Sequence, residues 1–210
     1  MKLYHGTSET AARAAIQHGL KPRSVSGRKG NWDHTIPSNP SHVYLTECYA
    51  PYFAMCALNA SDDDGDCGPT AQPPRAAMIE VDTALLDPGM LLPDEDFLEQ
   101  AIRGRREAQA ALGLRGMNMK ERTAWLRDNV WSFQHLWRQS VKHLGNASYG
   151  GGIPPEAITR AWAWAPNATS LSMMALDPSI TLINHHLFAG KYKALTRCLI
   201  RESARVRPTP

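Results

Sequence analysis

The sequence predicts an α+β domain in which short strands and helices alternate along all 210 residues. Residues 2–7, 42–46 and 76–81 are short segments that each contain adjacent apolar residues, a pattern typical of strands. The segments between them place apolar residues three and four positions apart, which is typical of amphipathic helices. The chain shows no internal repeat and no clear linker, so we expect one domain over residues 1–210.

The first twenty residues predict a strand, a turn and a helix. Ser8 can cap the helix N-terminus with its side-chain oxygen, and Gly19 can end the helix. Pro22 would block continuation of that helix. The apolar residues share one helical face: Ala11, Ala12, Ala15, Ile16 and Leu20.

A long polar loop follows at residues 21–41, and loops of this length are uncommon unless they bind a ligand or move. Residues 42–46 predict a strand, and residues 47–59 a helix with Pro51 in its first turn. Further along, the acidic triplet Asp94, Glu95 and Asp96 can open a helix, because acidic side chains favour a helix N-terminus.

The second half of the chain predicts a long helix over residues 122–144, with apolar residues recurring at helical spacing. Residues 147–153 and 158–165 are strand-like, and the chain from residue 171 onward mixes short apolar runs with a basic end. The net charge of +3 permits an anionic partner without requiring one.

The cysteines, numbering 4, have no CxxC spacing, so we expect no zinc site and no metal. Their low density favours a reducing compartment. The N-terminal residues lack the apolar segment of a signal peptide, and no stretch of about 18 apolar residues occurs. The expectation is therefore a cytoplasmic protein without a membrane partner.

Two strand ends carry residues suited to ligand binding. His5, Gly6 and Thr7 end the first strand, where a glycine lets a ligand approach the backbone and an imidazole can hold a hydroxyl. Tyr44 lies on the second strand, and its ring can stack on an aromatic cation such as oxidised nicotinamide. Taken singly, each motif is better explained by a structural role.

The order of these motifs resembles the ADP-ribosyltransferase superfamily of the histidine–tyrosine–acid type. This group includes the poly-ADP-ribose polymerases, the tRNA 2′-phosphotransferases and the rifamycin-inactivating ADP-ribosyltransferases. The resemblance covers residues 1–80 and the neighbourhood of residues 149–162. It implies two packed, mostly antiparallel sheets that form an NAD cleft, with a helical insertion at approximately residues 97–145.

The resemblance also implies roles for individual residues. His5 would bond a ribose of NAD, the Gly6 backbone would hold the carboxamide, and Tyr44 would stack on nicotinamide. The diphosphate side would be lined by Thr7, Ser8 and the loop at 23–29, which begins with Arg23. NAD would be a co-substrate, and no metal would take part.

The family's third position is an acid that stabilises positive charge at the ribose. The rifamycin-type enzymes carry it in a loop after the strand that residues 76–81 resemble, which favours Asp96 or Glu95 within the triplet that Asp94 opens. Helix capping is the alternative role for these carboxylates. A further candidate is Glu156, after Pro154 and Pro155. Where the polymerases place their catalytic glutamate, this chain has no acid: Asn146, Ala147 and Ser148.

The implied function is transfer of ADP-ribose from NAD to a macromolecule with release of nicotinamide, a glycosyltransferase reaction. Nucleic acid is the favoured acceptor, as in toxin and phage-defence relatives, and protein is the second candidate. The resemblance to toxins also implies that an antitoxin could be a partner. Alternatives are a small-molecule ADP-ribosyltransferase of the antibiotic-modifying kind, or an RNA 2′-phosphotransferase, although the latter carry a histidine where this chain has Tyr44. A degenerate module that binds ADP-ribose or RNA is the non-enzymatic alternative.

Overall fold

The structure is a computed structural model that describes residues 1–27, 38–63, 74–166 and 185–207. Its strands are β1 (Lys2–Ser8), β2 (His42–Thr46), β3 (Ala76–Asp82), β4 (Leu91–Pro93), β5 (Asn146–Gly150), β6 (Ile158–Trp164) and β7 (Ala204–Arg205). Its helices are α1 (Glu9–His18), α2 (Arg23–Ser26), α3 (Ala50–Asp63), α4 (Glu95–Ile102), α5 (Arg106–Ala111), α6 (Met119–Asn129), α7 (Trp137–Leu144) and α8 (His185–Glu202). Of the predicted diphosphate loop, Arg28 and Lys29 lie outside the described residues.

The strands form a sheet of 7 in the order β4-β5-β2-β1-β3-β6-β7, with antiparallel pairing. The α+β class is thus confirmed. Two packed sheets were expected, but the described strands belong to this one sheet, in which β1 and β2 meet at the pair Tyr4 and Thr46.

The chain divides into two compact units. The first unit comprises Met1–Leu20, Leu45–Leu86 and Ile153–Pro210, and the second comprises Lys21–Tyr44 and Asp87–Gly152. The helices α4 to α7, where a helical insertion was expected, belong to the second unit together with β4 and β5.

The first unit is organised around β1, which pairs with β3 along its whole length, from Lys2 opposite Asp82 to Ser8 opposite Ala76. Helix α3 packs so closely on β1 that a Cβ added to Gly6 would lie 2.2 Å from the carbonyl oxygen of Ala50. The core between sheet and helices is apolar and includes Ala54, Met55, Leu58, Met78, Trp162, Trp164 and Leu199.

The chain leaves the first unit after α1 through a glycine turn. Gly19 adopts a positive φ of 77°, and its N–H donates to the carbonyl of Ala15, as predicted for a helix end. Directly after it, Leu20 and Ile153 exchange two backbone hydrogen bonds, each of 2.9 Å. A Cβ on Gly19 would lie 2.3 Å from the Ile153 oxygen, so the close approach requires glycine here.

In the second unit, the predicted continuous helix over residues 122–144 is wrong. Helix α6 ends at Asn129, a 3-10 segment occupies Val130–Leu136, and α7 then runs to Leu144. A 3-10 segment repeats every three residues, so it preserves the apolar spacing that had suggested one helix. In the part of the chain that the structure describes, no helix has the length and apolar character needed to cross a bilayer.

Candidate functional site

The second unit brings together the aromatic residue and one of the acids singled out in the sequence. Tyr44 on β2 donates a short hydrogen bond from its hydroxyl to Oε1 of Glu95, the first residue of α4. The tyrosine is half-buried, whereas Glu95 is 8% exposed. The ring is therefore held by its hydroxyl end while part of its surface stays accessible.

A backbone amide completes this arrangement. The N–H of Asn39, in the turn before β2, lies 2.7 Å from the Tyr44 hydroxyl oxygen and 2.9 Å from Glu95 Oε1. It donates to both oxygens, so one peptide group fixes the positions of both side chains. We name Asn39, Tyr44 and Glu95 the tyrosine–glutamate site.

Burial strongly affects the protonation of this site. Desolvation raises the pKa of the Glu95 carboxyl, although the hydrogen bonds from Tyr44 and Asn39 act in the opposite direction. Desolvation and the neighbouring Glu95 charge also raise the pKa of Tyr44, so its hydroxyl remains a donor. Glu95 Oε2 is buried and has no hydrogen-bond partner among the described residues.

The acids beside Glu95 have different surroundings. Asp94 is buried, and its Oδ1 accepts from the Asp96 N–H at 2.9 Å, which makes it the N-cap of α4. Its own N–H donates to the Ser140 hydroxyl. Burial and the charges of Asp96 and Glu95 raise the Asp94 pKa well above its usual value. Capping therefore accounts for Asp94, while Asp96 is half-buried in the first turn of α4.

A second polar pair lies on the strands next to the tyrosine–glutamate site. His42 precedes Tyr44 by two residues on β2, so both side chains leave the same face of the strand. Its Nδ1 lies 3.3 Å from the hydroxyl of Ser148 on β5. Burial lowers the pKa of His42, which favours the neutral imidazole.

The motif at the end of β1, residues 5–8, belongs to the first unit, and we name it the β1 motif. Helix α3 fills the space beside Gly6, and Thr7 is buried at 2% exposure. Ser8 caps α1 by accepting from the Ala11 N–H at 3.3 Å, as the sequence predicts. His5 is half-buried on β1, and its assigned role toward ribose stays a prediction.

The remaining predicted residues lie elsewhere. Arg23 opens α2 in the second unit, and its guanidinium donates to the Ser38 carbonyl at 2.9 Å. Glu156 lies in a 3-10 turn, Pro155–Ala157, of the first unit. The structure thus joins Tyr44 with Glu95, and it leaves Glu156 in a different unit from Tyr44.

Three residues that shape this region were not predicted from the sequence: Asn39, His42 and Ser140. Asn39 acts through its backbone, which no residue pattern reveals, whereas His42 could have been found from its period-two relation to Tyr44. Across the described ranges, no three or more His, Cys, Asp or Glu side chains gather in a way that could hold a metal ion.

Comparison with known proteins adds no assignment. No protein-family model matches the chain, and no curated protein matches its sequence.

Proposed function

We propose that the chain is an NAD-dependent ADP-ribosyltransferase that transfers ADP-ribose to a macromolecular acceptor, with nucleic acid favoured. One observation supports this above the others: Tyr44, chosen from the sequence as the nicotinamide-stacking residue, is hydrogen-bonded to Glu95, chosen as a candidate for the catalytic acid. The roles of both residues come from the same resemblance, and the two lie 51 residues apart in sequence.

The pair suits the reaction chemically. Oxidised nicotinamide is a cation, and an aromatic face attracts a cation by about 1 to 2 kcal/mol when water is excluded. A tyrosine fixed at its hydroxyl presents that face without losing side-chain freedom on binding. The glutamate accepts hydrogen bonds through Oε1, and its buried Oε2 has no hydrogen-bond partner among the described residues. Once a ligand reaches it, Oε2 would accept from a ribose hydroxyl or face developing positive charge.

The reaction follows from this assignment. The bond between nicotinamide and the ribose anomeric carbon breaks, and its electron pair leaves with nicotinamide as a neutral base. Positive charge develops at the anomeric carbon, where the Glu95 carboxylate would stabilise it. A nucleophile of the acceptor then bonds to that carbon and releases its proton to a base. His5 would hold a ribose hydroxyl, and Gly6 the carboxamide.

Glu95 and Asp96 were both candidates for the catalytic acid. Glu95 accepts the hydrogen bond of the Tyr44 hydroxyl, so we assign the acidic role to Glu95. Because burial raises the Glu95 pKa, the active carboxylate forms only above that raised value. We therefore expect turnover to rise with pH through the pKa of Glu95, and the Glu95→Gln variant to lack this rise.

The test incubates NAD labelled in its adenylate part with the protein and, separately, with RNA, DNA or a protein mixture. Nicotinamide release and label in one polymer identify the activity and the acceptor. Tyr44→Phe keeps the stacking ring and removes the hydroxyl bond, so we expect a loss of about tenfold. Glu95→Gln should lose about a hundredfold or more, on the scale of removing one charge-stabilising group.

Glu107→Gln is the matched control, because Glu107 is exposed on α5 of the same unit. It should turn over NAD like the wild type. Binding of ADP-ribose without any nicotinamide release would show that the chain is a binding module and not an enzyme. Removal of a 2′-phosphate from RNA would identify a phosphotransferase instead, and label on a small antibiotic a small-molecule transferase.

A further inference from the structure

The positive charge of the chain is concentrated at its C-terminal end. Residues 185–207 contain six Lys or Arg and one Glu, a net charge of +5, while the whole chain carries +3. The other residues together are therefore net negative, at −2. The basic charge thus belongs to α8, β7 and the residues that follow, all in the first unit.

The arginines of this segment are solvent-exposed. Arg197 and Arg201 lie one turn apart on α8, about 6 Å along the helix axis. Each uses its Nε to donate to the backbone carbonyl four residues earlier, at 3.2 Å and 3.3 Å. These bonds orient the side chains along the helix and leave most of the five guanidinium donors for a ligand.

Arg205 lies four residues after Arg201, on β7. Arg205 on β7 pairs with Trp162, and paired residues of adjacent strands project from the same face. Trp162 shares a core cluster with Leu199 of α8, so that face is the one covered by the helix. We name Arg197, Arg201 and Arg205 the arginine surface.

A neighbouring lysine has an ion-pair partner within the protein, whereas the three arginines have none in the described part of the chain. Lys193 forms a 2.7 Å ion pair with Glu47 of the same unit. Among the described residues, no carboxylate forms an ion pair with Arg197, Arg201 or Arg205. The helix C-terminus favours a cation at Arg201, yet Arg205 lies outside the helix and gains nothing from it.

We propose that the arginine surface binds the phosphate backbone of a nucleic acid strand. Arginine presents planar, bidentate donors that match phosphate, and such contacts give affinity without an apolar interface centre. A membrane surface would need apolar side chains to insert, and Leu187 is the one large exposed apolar residue on the described part of α8. An acidic protein partner would need an apolar patch that this face lacks.

As an acceptor-binding surface, this proposal rests on the transferase function above; as a binding surface, it stands independently. The test measures fluorescence anisotropy of labelled 20-nucleotide RNA and DNA with the full chain, without NAD, between about 50 and 200 mM salt. The triple variant Arg197→Gln, Arg201→Gln and Arg205→Gln should weaken binding tenfold or more. Its log–log salt slope should fall by about 2, as expected for three lost contacts with a single strand.

The matched control removes three exposed cations from the second unit: Arg106→Gln, Arg115→Gln and Lys120→Gln. It should stay within about twofold of the wild type. Equal loss in both variants, or equal binding of polyglutamate or of vesicles with anionic lipids, would overturn the proposal. NAD turnover and nucleic acid binding of the wild-type chain separate the two ideas: binding without turnover overturns the transferase function, and turnover without any binding overturns the arginine surface.

Discussion

The two units place their candidate residues in opposite kinds of environment. At the end of β1 in the first unit, Gly6 allows helix α3 to pack closely, and Ser8 caps α1. Packing therefore explains the glycine, and capping explains the serine. In the second unit, Glu95 is a buried carboxylate, and one of its oxygens has no hydrogen-bond partner among the described residues. Burying such a group costs stability, so packing alone does not account for it.

This difference shows where functional assignment has physical support. A residue type that already satisfies a structural need gives no independent sign of a ligand, however well it fits a motif. A residue that costs stability and is held by two hydrogen bonds does give such a sign. The tyrosine–glutamate site therefore has more physical support as a ligand site than the β1 motif, which experiments must test first.

The largest expected effect comes from deleting one side chain in each unit. His5→Ala and Tyr44→Ala should each abolish transfer, with NAD turnover reduced by about a thousandfold or more, while circular dichroism shows a folded chain. If His5→Ala keeps normal turnover and Tyr44→Ala does not, the β1 motif is structural. Normal turnover in both variants would remove the site assignment altogether.

A glycine substitution measures the structural role in the first unit. Gly6→Ala places a Cβ 2.2 Å from the Ala50 oxygen and 2.5 Å from the Ala54 nitrogen, both backbone atoms that cannot turn aside. We expect a loss of about 3 kcal/mol in the free energy of unfolding, measured in urea.

Gly190→Ala is the control for this substitution, since nothing lies within 4 Å of the added Cβ in α8. It should stabilise the chain by up to about 1 kcal/mol through helix propensity. A Gly6→Ala variant as stable as the wild type would mean that α3 does not approach β1 as closely as described.

The smallest expected effect concerns the acid beside the tyrosine–glutamate site. The folded-state pKa of Asp94 is raised, so the folded chain holds its proton at pH values where the unfolded chain has lost it. Stability therefore falls as pH rises from 3.8, the ordinary value, through the raised pKa. Asp94→Asn removes this fall and keeps an N-cap oxygen, so at pH 8 it should be more stable by about 1 kcal/mol.

Asp94→Ala separates the two contributions, because it removes both the charge and the cap. Loss of the cap should cost about 1 kcal/mol, an offset that leaves this variant close to the wild type at pH 8 and less stable at pH 4. Thermal unfolding of all three proteins across this pH range tests the prediction. Parallel pH profiles for wild type and Asp94→Asn would contradict it.

Local patterns predicted the elements whose residues act through their neighbours in sequence. The Ser8 cap and the Gly19 turn depend on contacts within a few residues, and the structure confirms them. It also confirms the strand at His42–Thr46. Strand β4 was missed because it has three residues, includes Pro93, and exists only through its pairing with β5. Proline is tolerated there because β4 is at the end of the strand order.

The C-terminal helix shows a different limit. Tyr192, Thr196 and Leu199 are buried at helical spacing, yet the chain around them was predicted only as short apolar runs with a basic end. Gly190 and the many basic residues concealed the period. In the candidate site, the sequence supplied Tyr44 and Glu95, but the Asn39 amide that joins them acts through the backbone and depends on tertiary structure.

The glycine turn at the end of α1 has a consequence for chain engineering. Leu20 and Ile153 are locked to each other by two backbone bonds where the polypeptide first departs from the first unit and where it finally returns. The entropy cost of closing a loop grows only slowly with the length of the loop. Lengthening or trimming the exposed turns between Leu20 and Ile153 should therefore have little effect on these two hydrogen bonds. Fusion tags or reporter peptides are therefore better inserted near Gly113, where the surroundings are open, than next to Gly19.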